Sequence, residues 1–133
     1  IFFIDNGIRN TLLNNFPLDI NQSPDAGGIF KNWVFSELYK NIPFLGTIRY
    51  WQSKSKAEVD FVIEYAGKLY AIEAKFSAYK KPELSKSAHS FIEAYKPERF
   101  ILLNLTLEHD IDVKGTRVSF LTPYAMTSMF GEN

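Results

Sequence analysis

Residues 58–75 read EVDFVIEYAGKLYAIEAK and predict a β-hairpin. Each half is rich in β-branched and aromatic residues, and Gly67 between them can supply the positive φ of a tight turn. A two-residue loop, Ala66-Gly67, then fixes the register of every cross-strand pair. We therefore expect strands over residues 58–65 and 68–76.

This register sorts the hairpin into two faces. The first face is wholly apolar and pairs Ile63 with Tyr70, Phe61 with Ile72, and Val59 with Ala74. The second face pairs Val62 with Ala71, Asp60 with Glu73, and Glu58 with Lys75. Directly opposed residues have Cβ atoms about 4.5 to 5.5 Å apart, and like charges in such pairs are destabilising. The sequence therefore predicts a carboxylate pair that needs a compensating cation.

Two explanations of the carboxylate pair remain open. A divalent cation such as Mg²⁺ or Mn²⁺ could compensate by bridging Asp60 and Glu73, and so could Lys75, which lies on the same face two residues after Glu73. That arrangement fits metal-assisted hydrolysis, in which the metal lowers the pKa of a bound water and the lysine assists its attack. The alternative is an ordinary solvated face on which Glu58 and Lys75 form a weak ion pair.

The strongest helical pattern covers residues 29–41. Its apolar face is formed by Phe30, Trp33, Val34 and Leu38. Glu37 falls near the centre of that face. Because apolar residues also lie on the acidic face of the hairpin, we expect this helix to cover that face and Glu37 to point toward Asp60 and Glu73. A glutamate that snorkels from the edge of the buried face is the alternative.

The rest of the chain predicts further strands and helices. Strands are expected at 1–5, 47–52, 100–105 and near 117–121, and helices around 8–16, at 84–95 and after Pro123, with a possible helix start at Ser23-Pro24. The predicted fold class is therefore α/β (α+β), with one central mixed sheet flanked by helices.

Composition narrows the function classes. The 133 residues indicate one domain, and 15 basic against 15 acidic side chains give no net charge, so nucleic-acid contacts must rest on local patches. The absence of cysteine excludes disulfides and thiolate zinc sites, so a metal would need carboxylates. We expect His89 and His109 to be surface residues.

No apolar run approaches the roughly 18 residues of a membrane span, so we expect no membrane partner and a cytoplasmic setting.

Basic residues cluster on both sides of the predicted acidic site. They are Arg49, Lys54 and Lys56 before the hairpin, and Lys80, Lys81 and Lys86 after it. Such residues could contact DNA phosphates, or they could be ordinary solvated loop residues. Trp33 and Trp51 could stack on bases, but core packing is the favoured role.

The spacing of Asp60 and the Glu73-Ala74-Lys75 tripeptide resembles the D…(D/E)xK signature of restriction-endonuclease-like, or PD-(D/E)XK, nucleases. A longer set of strings is similar to the C-terminal domain, of unknown function, of a large prokaryotic family of AAA-type ATPases. Those strings are FIDNGIRN at 3–10, GIFKNWV at 28–34 with Glu37-Leu38, RYWQ at 49–52, EVDFVI at 58–63 and IEAK at 72–75. The resemblance extends from residue 3 to about residue 105.

The resemblance implies roles for individual residues. Asp60 and Glu73 would be metal ligands for Mg²⁺ or Mn²⁺, Lys75 the catalytic lysine and Glu37 an additional helix acid. DNA would be the substrate. Two positions depart from the family pattern, because Lys31 stands where the family often has an acid and Gln52 where it often has an arginine.

The resemblance also implies a longer protein. Residues 1–133 would be a single restriction-endonuclease-like domain, and the ATPase module of the same chain would precede Ile1. The sequence contains no GxxxxGK[ST] phosphate loop, so we expect no ATP site in these residues. Two functions stay open: a Mg²⁺-dependent phosphodiesterase that acts on DNA, and a non-catalytic DNA- or protein-binding or regulatory module of the ATPase.

Overall fold

The structure is a computed structural model that describes residues 26–41, 47–54 and 56–130, without the side chains of residues 41, 47 and 127–130. The predicted opening strand, the predicted helix at 8–16 and the Ser23-Pro24 helix start lie outside these described residues.

Three helices and six strands make up the described part of the chain. In chain order they are α1 (Ala26–Asn41), β1 (Thr47–Gln52), β2 (Glu58–Tyr65), β3 (Lys68–Ala74), α2 (Lys86–Tyr95), β4 (Arg99–Leu103), β5 (His109–Val113), β6 (Thr116–Leu121) and α3 (Pro123–Phe130). The six strands form one sheet in the order β1-β2-β3-β4-β6-β5. Strands β3, β4 and β6 are mutually parallel, and the other neighbours are antiparallel. The predicted α/β (α+β) class with one mixed sheet is confirmed.

Most element boundaries agree with the sequence pattern, with two differences worth explaining. Helix α1 begins at Ala26, three residues before its predicted start, and includes Gly27 and Gly28, both exposed in its first turn. Strand β5 was not predicted at all. Only Ile111 and Val113 in it are partly buried, because β5 lies at the sheet edge and gains no second strand neighbour. Its short apolar alternation is therefore a weak signal.

The sheet has an apolar core on each face. The core that packs against α1 and α3 consists of Phe30, Val34, Leu38, Phe61, Ile63, Ile72, Ala74, Ile101, Leu103 and Met126. The core that packs against α2 consists of Val59, Val62, Ala71, Ala88, Phe91, Ile92, Phe100, Leu102, Val118 and Phe120. We call these the α1 face and the α2 face. Sheets covered by helices on both sides bury both sets of alternating side chains, as seen here.

This layering corrects the predicted position of the first helix. The sequence analysis placed it over the face of Val62 and Ala71, but α2 covers that face and α1 covers the face of Phe61 and Ile72. Both hairpin faces contribute buried apolar residues to a core, so the pattern of the hairpin could not decide between the two helices.

A β-bulge in β2 is the second correction. Arg49 and Trp51 of β1, two residues apart, pair with Val62 and Val59 of β2, three residues apart, so β2 carries one extra residue around Asp60 and Phe61. A bulge interrupts the strict alternation of side chains. Val59 therefore lies with Val62 in the core of the α2 face, not with Phe61 as predicted.

Candidate functional site

The candidate site lies where the β2–β3 ladder ends. The predicted register is observed from Tyr65–Lys68 to Phe61–Ile72. Beyond that pair, Asp60 Oδ2 accepts a hydrogen bond from the backbone N–H of Ala74 at 2.9 Å. The carboxylate of Asp60 thus continues the contact between the two strands and lies beside the Glu73-Ala74 segment.

Glu73 is the most unusual residue at this position, because its side chain is buried and only partly satisfied. It is 4% exposed, and its Oε1 lies 3.4 Å from Lys75 Nζ. Within the part of the chain that the structure describes, its Oε2 is buried without a hydrogen-bond partner. Burial raises the pKa of Glu73, Lys75 opposes this rise, and the charge of Asp60 adds to it. The site therefore contains a carboxylate oxygen that lacks a proton donor or cation.

Lys31 of α1 joins this cluster. Its Nζ lies 3.1 Å from Asp60 Oδ1. Its charge also acts on Glu73, where it helps to hold the pKa down. The structure therefore brings together two carboxylates, from Asp60 and Glu73, and two ammonium groups, from Lys31 and Lys75.

Glu37 was predicted to point toward Asp60 and Glu73. Its side chain is partly buried, and its Oε1 lies 4.0 Å from Lys40 Nζ in a contact within α1. The residue of α1 that pairs with Asp60 is instead Lys31, six residues earlier in the helix. A catalytic role for Glu37 stays a prediction.

The loop between β3 and α2 forms an open cleft next to the site. The cleft has a volume of about 500 Å³ and is lined by residues 77–81 and 83–85, which include Lys80 and Lys81. The loop is held by a hydrogen bond from Tyr79 N to Thr106 Oγ1 at 2.9 Å. Burial raises the pKa of the Tyr79 phenol, with further contributions from Glu73 and Glu83. The charge of Glu73 therefore acts on Tyr79, a residue that lines the cleft.

The other basic residues predicted near the site are exposed. Lys54, Lys56 and Lys86 are exposed, and Arg49 pairs with Glu64 at 3.3 Å near the hairpin turn. The two histidines are also exposed, as predicted.

The two tryptophans pack as predicted. Trp33 stacks on Phe30, with ring centroids 6.3 Å apart, and Trp51 packs edge-on against Phe91 at 5.1 Å. Both rings are partly buried and pack against the cores of the sheet.

The residues present fit a magnesium-type ion in number and chemistry. Within residues 26–41, 47–54 and 56–130, no three Asp, Glu, His or Cys side chains group in a way that could hold a metal ion. Mg²⁺ does not need such a cage, since it commonly binds one or two carboxylates together with waters and substrate phosphates. Asp60 and Glu73 could supply those carboxylates, and the unpartnered Glu73 Oε2 is an oxygen that a cation would satisfy.

A comparison with protein families identifies the chain at the level of its domain. The model of a family described as "Domain of unknown function (DUF4143)" matches residues 26–124, more than half of the 133 residues. The chain belongs to the DUF4143 family. The DUF4143 match covers α1 through the start of α3 and so includes all four charged residues of the site. No curated protein matches the chain.

Sequence reasoning missed Lys31 as a site residue of this DUF4143 domain. The available signal was its departure from the acid that the resemblance leads one to expect at that position. The pattern within α1 gave no further indication, because Lys31 lies beside the buried stripe and reads as an ordinary surface lysine.

No helix in the described ranges is long and apolar enough to cross a membrane.

Proposed function

We propose that this DUF4143 domain is a nuclease-like domain that hydrolyses phosphodiester bonds of DNA with the help of Mg²⁺ or Mn²⁺. The observation that carries the proposal is the buried, unpartnered Oε2 of Glu73 beside Asp60 and Lys75. A buried carboxylate oxygen without a partner is costly, and a bound cation would remove that cost.

In this proposal the two carboxylates would bind the metal ion and Lys75 would act on the attacking water and the phosphate. Asp60 and Glu73 would hold the metal ion, which when bound supplies a Lewis acid and lowers the pKa of a water ligand. The hydrogen bond from Ala74 N fixes the direction of the Asp60 carboxylate. Lys75 is 42% exposed, so its ammonium can contact both Glu73 and a water or phosphate that enters from solvent. It would orient the attacking water and stabilise charge on the phosphate.

The cleft supports a polyanionic substrate. Lys80 lies at the cleft wall with Lys81, and both side chains are exposed. Because the chain has no net charge, attraction to DNA must come from such local groups. Contacts with the phosphate backbone would position a strand without reading its sequence.

The sequence resemblance supports the same proposal. The D…ExK spacing and the flanking strings are similar to a PD-(D/E)XK core in the C-terminal domain of AAA-type ATPases, so we propose that an ATPase module of the same protein is the domain's partner, in a cytoplasmic setting. The observed sheet is compatible with this proposal, since Asp60 and Glu73 come from neighbouring antiparallel strands and Lys75 directly follows the second of them.

One observation favours a second function. Lys31 already neutralises Asp60, so the acidic pair has a cation without a metal ion. A site balanced in this way fits a non-catalytic module that binds DNA or protein, or regulates the ATPase, and whose carboxylates only maintain the fold.

Calorimetry with Mn²⁺ tests the proposal. We expect the wild-type protein to bind Mn²⁺ and Asp60→Ala to lose most of that affinity. Glu64→Ala is the matched control, because Glu64 lies on the same strand, pairs with Arg49 and is remote from the site. A plasmid-nicking assay with the intact protein then tests cleavage. Equal Mn²⁺ affinity in wild type and Asp60→Ala, or nicking that survives Asp60→Ala, would replace the nuclease proposal with the binding-module function.

A further inference from the structure

We infer that Lys31 is a tethered cation that competes with a divalent metal ion for Asp60 and thereby sets the metal affinity of the site. The inference rests on the proposed metal site and assigns a determinant of its affinity. It concerns a residue of α1 that the strand motif does not include.

The first argument is the use of the two oxygens of Asp60. Oδ2 accepts the hydrogen bond from Ala74 N at 2.9 Å, which anchors the carboxylate to β3. Oδ1 is the oxygen left for a metal ion, and Lys31 Nζ occupies it at 3.1 Å. A metal ion bound at Oδ1 would therefore compete with the ammonium of Lys31 for that oxygen.

The second argument is the difference between the two lysines. Lys75 contacts Oε1 of Glu73 and leaves Oε2 of the same carboxylate without a partner. Lys31 contacts the Asp60 oxygen that is not anchored to the backbone. Removing the charge of Lys31 should therefore free the unanchored oxygen of Asp60, whereas Glu73 has an oxygen for a metal ion even with Lys75 in place.

The third argument is charge. Two carboxylates and two ammonium groups sum to zero formal charge, and the affinity of oxygen sites for divalent cations rises with the net negative charge of their ligands. The side chain of Asp60 is only 12% exposed, so solvent screens its interaction with Lys31 less than that of a surface pair.

The position of Lys31 is fixed by packing, but its ammonium is free to leave. One turn further along α1, Phe35 packs on Phe61 of β2, with ring centroids 6.4 Å apart, which holds this part of the helix against the bulged strand. The lysine stem has rotatable bonds, and the side chain is 38% exposed. A metal ion at sufficient concentration can therefore displace the ammonium to solvent without moving the helix.

Mn²⁺ calorimetry on three variants tests this inference. We expect Lys31→Met, which keeps the length of the side chain but not its charge, to bind Mn²⁺ about tenfold more tightly than wild type or better. Lys31→Arg should keep the low wild-type affinity, because its charge is retained. Lys40→Met is the matched control on the same helix, since Lys40 faces Glu37 and not Asp60. It should bind as wild type does.

Thermal unfolding supplies a second readout that also shows whether each variant folds. Without metal, Lys31→Met should unfold at a lower temperature than wild type, because Asp60 loses its partner. Saturating Mn²⁺ should raise the unfolding temperature of Lys31→Met more than that of wild type.

The outcomes separate the inference from the proposed function. Tighter binding by Lys31→Met alone, including binding where wild type shows none, supports the inference. Equal affinities in Lys31→Met and wild type, with loss of binding in Asp60→Ala, would overturn the inference and leave the metal site in place. Absence of Mn²⁺ binding in folded wild type and folded Lys31→Met would overturn both.

Discussion

Asp60 Oδ2 accepts a hydrogen bond from the backbone N–H of Ala74 at 2.9 Å, one residue beyond Glu73. The regular β2–β3 pairing has ended by this point, because its last pair is Phe61–Ile72. A side chain therefore takes the place of a backbone acceptor, and the same interaction aligns a carboxylate beside Glu73. This contact gives Asp60 a structural task that is independent of any metal.

Replacing Asp60 should therefore cost stability as well as metal binding. We expect Asp60→Ala to lower the free energy of unfolding by about 1.5 to 3 kcal/mol, because Ala74 N–H loses a charged acceptor. Asp60→Asn keeps an oxygen that can accept this hydrogen bond and should lose less. Urea unfolding without metal measures both values. Equal losses in the two variants would show that the hydrogen bond is not what stabilises the strand end.

Glu73 should make the stability of the metal-free protein depend on pH. Burial raises the pKa of folded Glu73 above its ordinary value near 4.5, so the folded state binds more protons than the unfolded state between those two pKa values. Stability contributed by this group is therefore present below pH 4.5 and is lost as the pH rises through the folded pKa. Glu73→Gln removes the titration. The free energy of unfolding of Glu73→Gln minus that of wild type should therefore increase as the pH rises from 4.5 through the folded pKa of Glu73. Urea unfolding in EDTA across the interval measures it.

Asp110 provides a control of opposite sign for that measurement. The hydrogen bond from Arg117 lowers the pKa of Asp110 below its ordinary value of 3.8. Its stabilising contribution is present above pH 3.8 and is lost as the pH falls through the folded pKa. Asp110→Asn should therefore lower the free energy of unfolding, relative to wild type, more at neutral pH than at acidic pH. A Glu73→Gln profile with this same direction would contradict the burial of an uncompensated Glu73 carboxylate.

Replacing Lys75 should affect metal binding and the proposed phosphodiester cleavage differently. We expect Lys75→Met to retain or modestly increase Mn²⁺ affinity, because a positive charge beside Glu73 is removed. Phosphodiester cleavage should fall by about 10² to 10⁴-fold, the usual size of a lost proton-transfer or charge-stabilising group. Calorimetry and plasmid nicking on the same preparation measure the two effects. Nicking at the wild-type rate by Lys75→Met would remove this residue from the proposed mechanism.

The packing of the α2 face should owe much of its stability to the aromatic ring of Phe91. Phe91 is 1% exposed and contacts Trp51, Tyr95 and Phe100. We expect Phe91→Ala to lower the free energy of unfolding by about 3 to 5 kcal/mol, the usual cost of removing a buried phenyl ring. Tyr95→Phe is the control, since it removes only the exposed hydroxyl that accepts from Trp51 Nε1 at 3.1 Å. Denaturant unfolding followed by tryptophan fluorescence measures both. Similar small losses in the two variants would contradict the burial of Phe91.

The comparison of sequence and structure shows which features are local. Strands β1 and β2 have the bounds that the alternation predicts, and the hairpin register follows from the Ala66-Gly67 turn, in which both residues have positive φ. Turn geometry and the period of two are properties of a few neighbouring residues. They can therefore be derived without knowing what the hairpin packs against.

The amino-acid sequence by itself determined the fold class, the hairpin and the two-residue spacing of Glu73 and Lys75 at the end of β3. Only the tertiary structure decided which helix covers which face, that β2 is bulged near Asp60, and that Lys31 of α1 pairs with Asp60. The offset of six positions from Lys31 to Glu37 corresponds to about 9 Å along a helix axis. Periodicity defines the buried face of α1 but not how far the helix is shifted along the sheet. That shift is set by packing on both faces at once, and it decides which charge reaches the carboxylates.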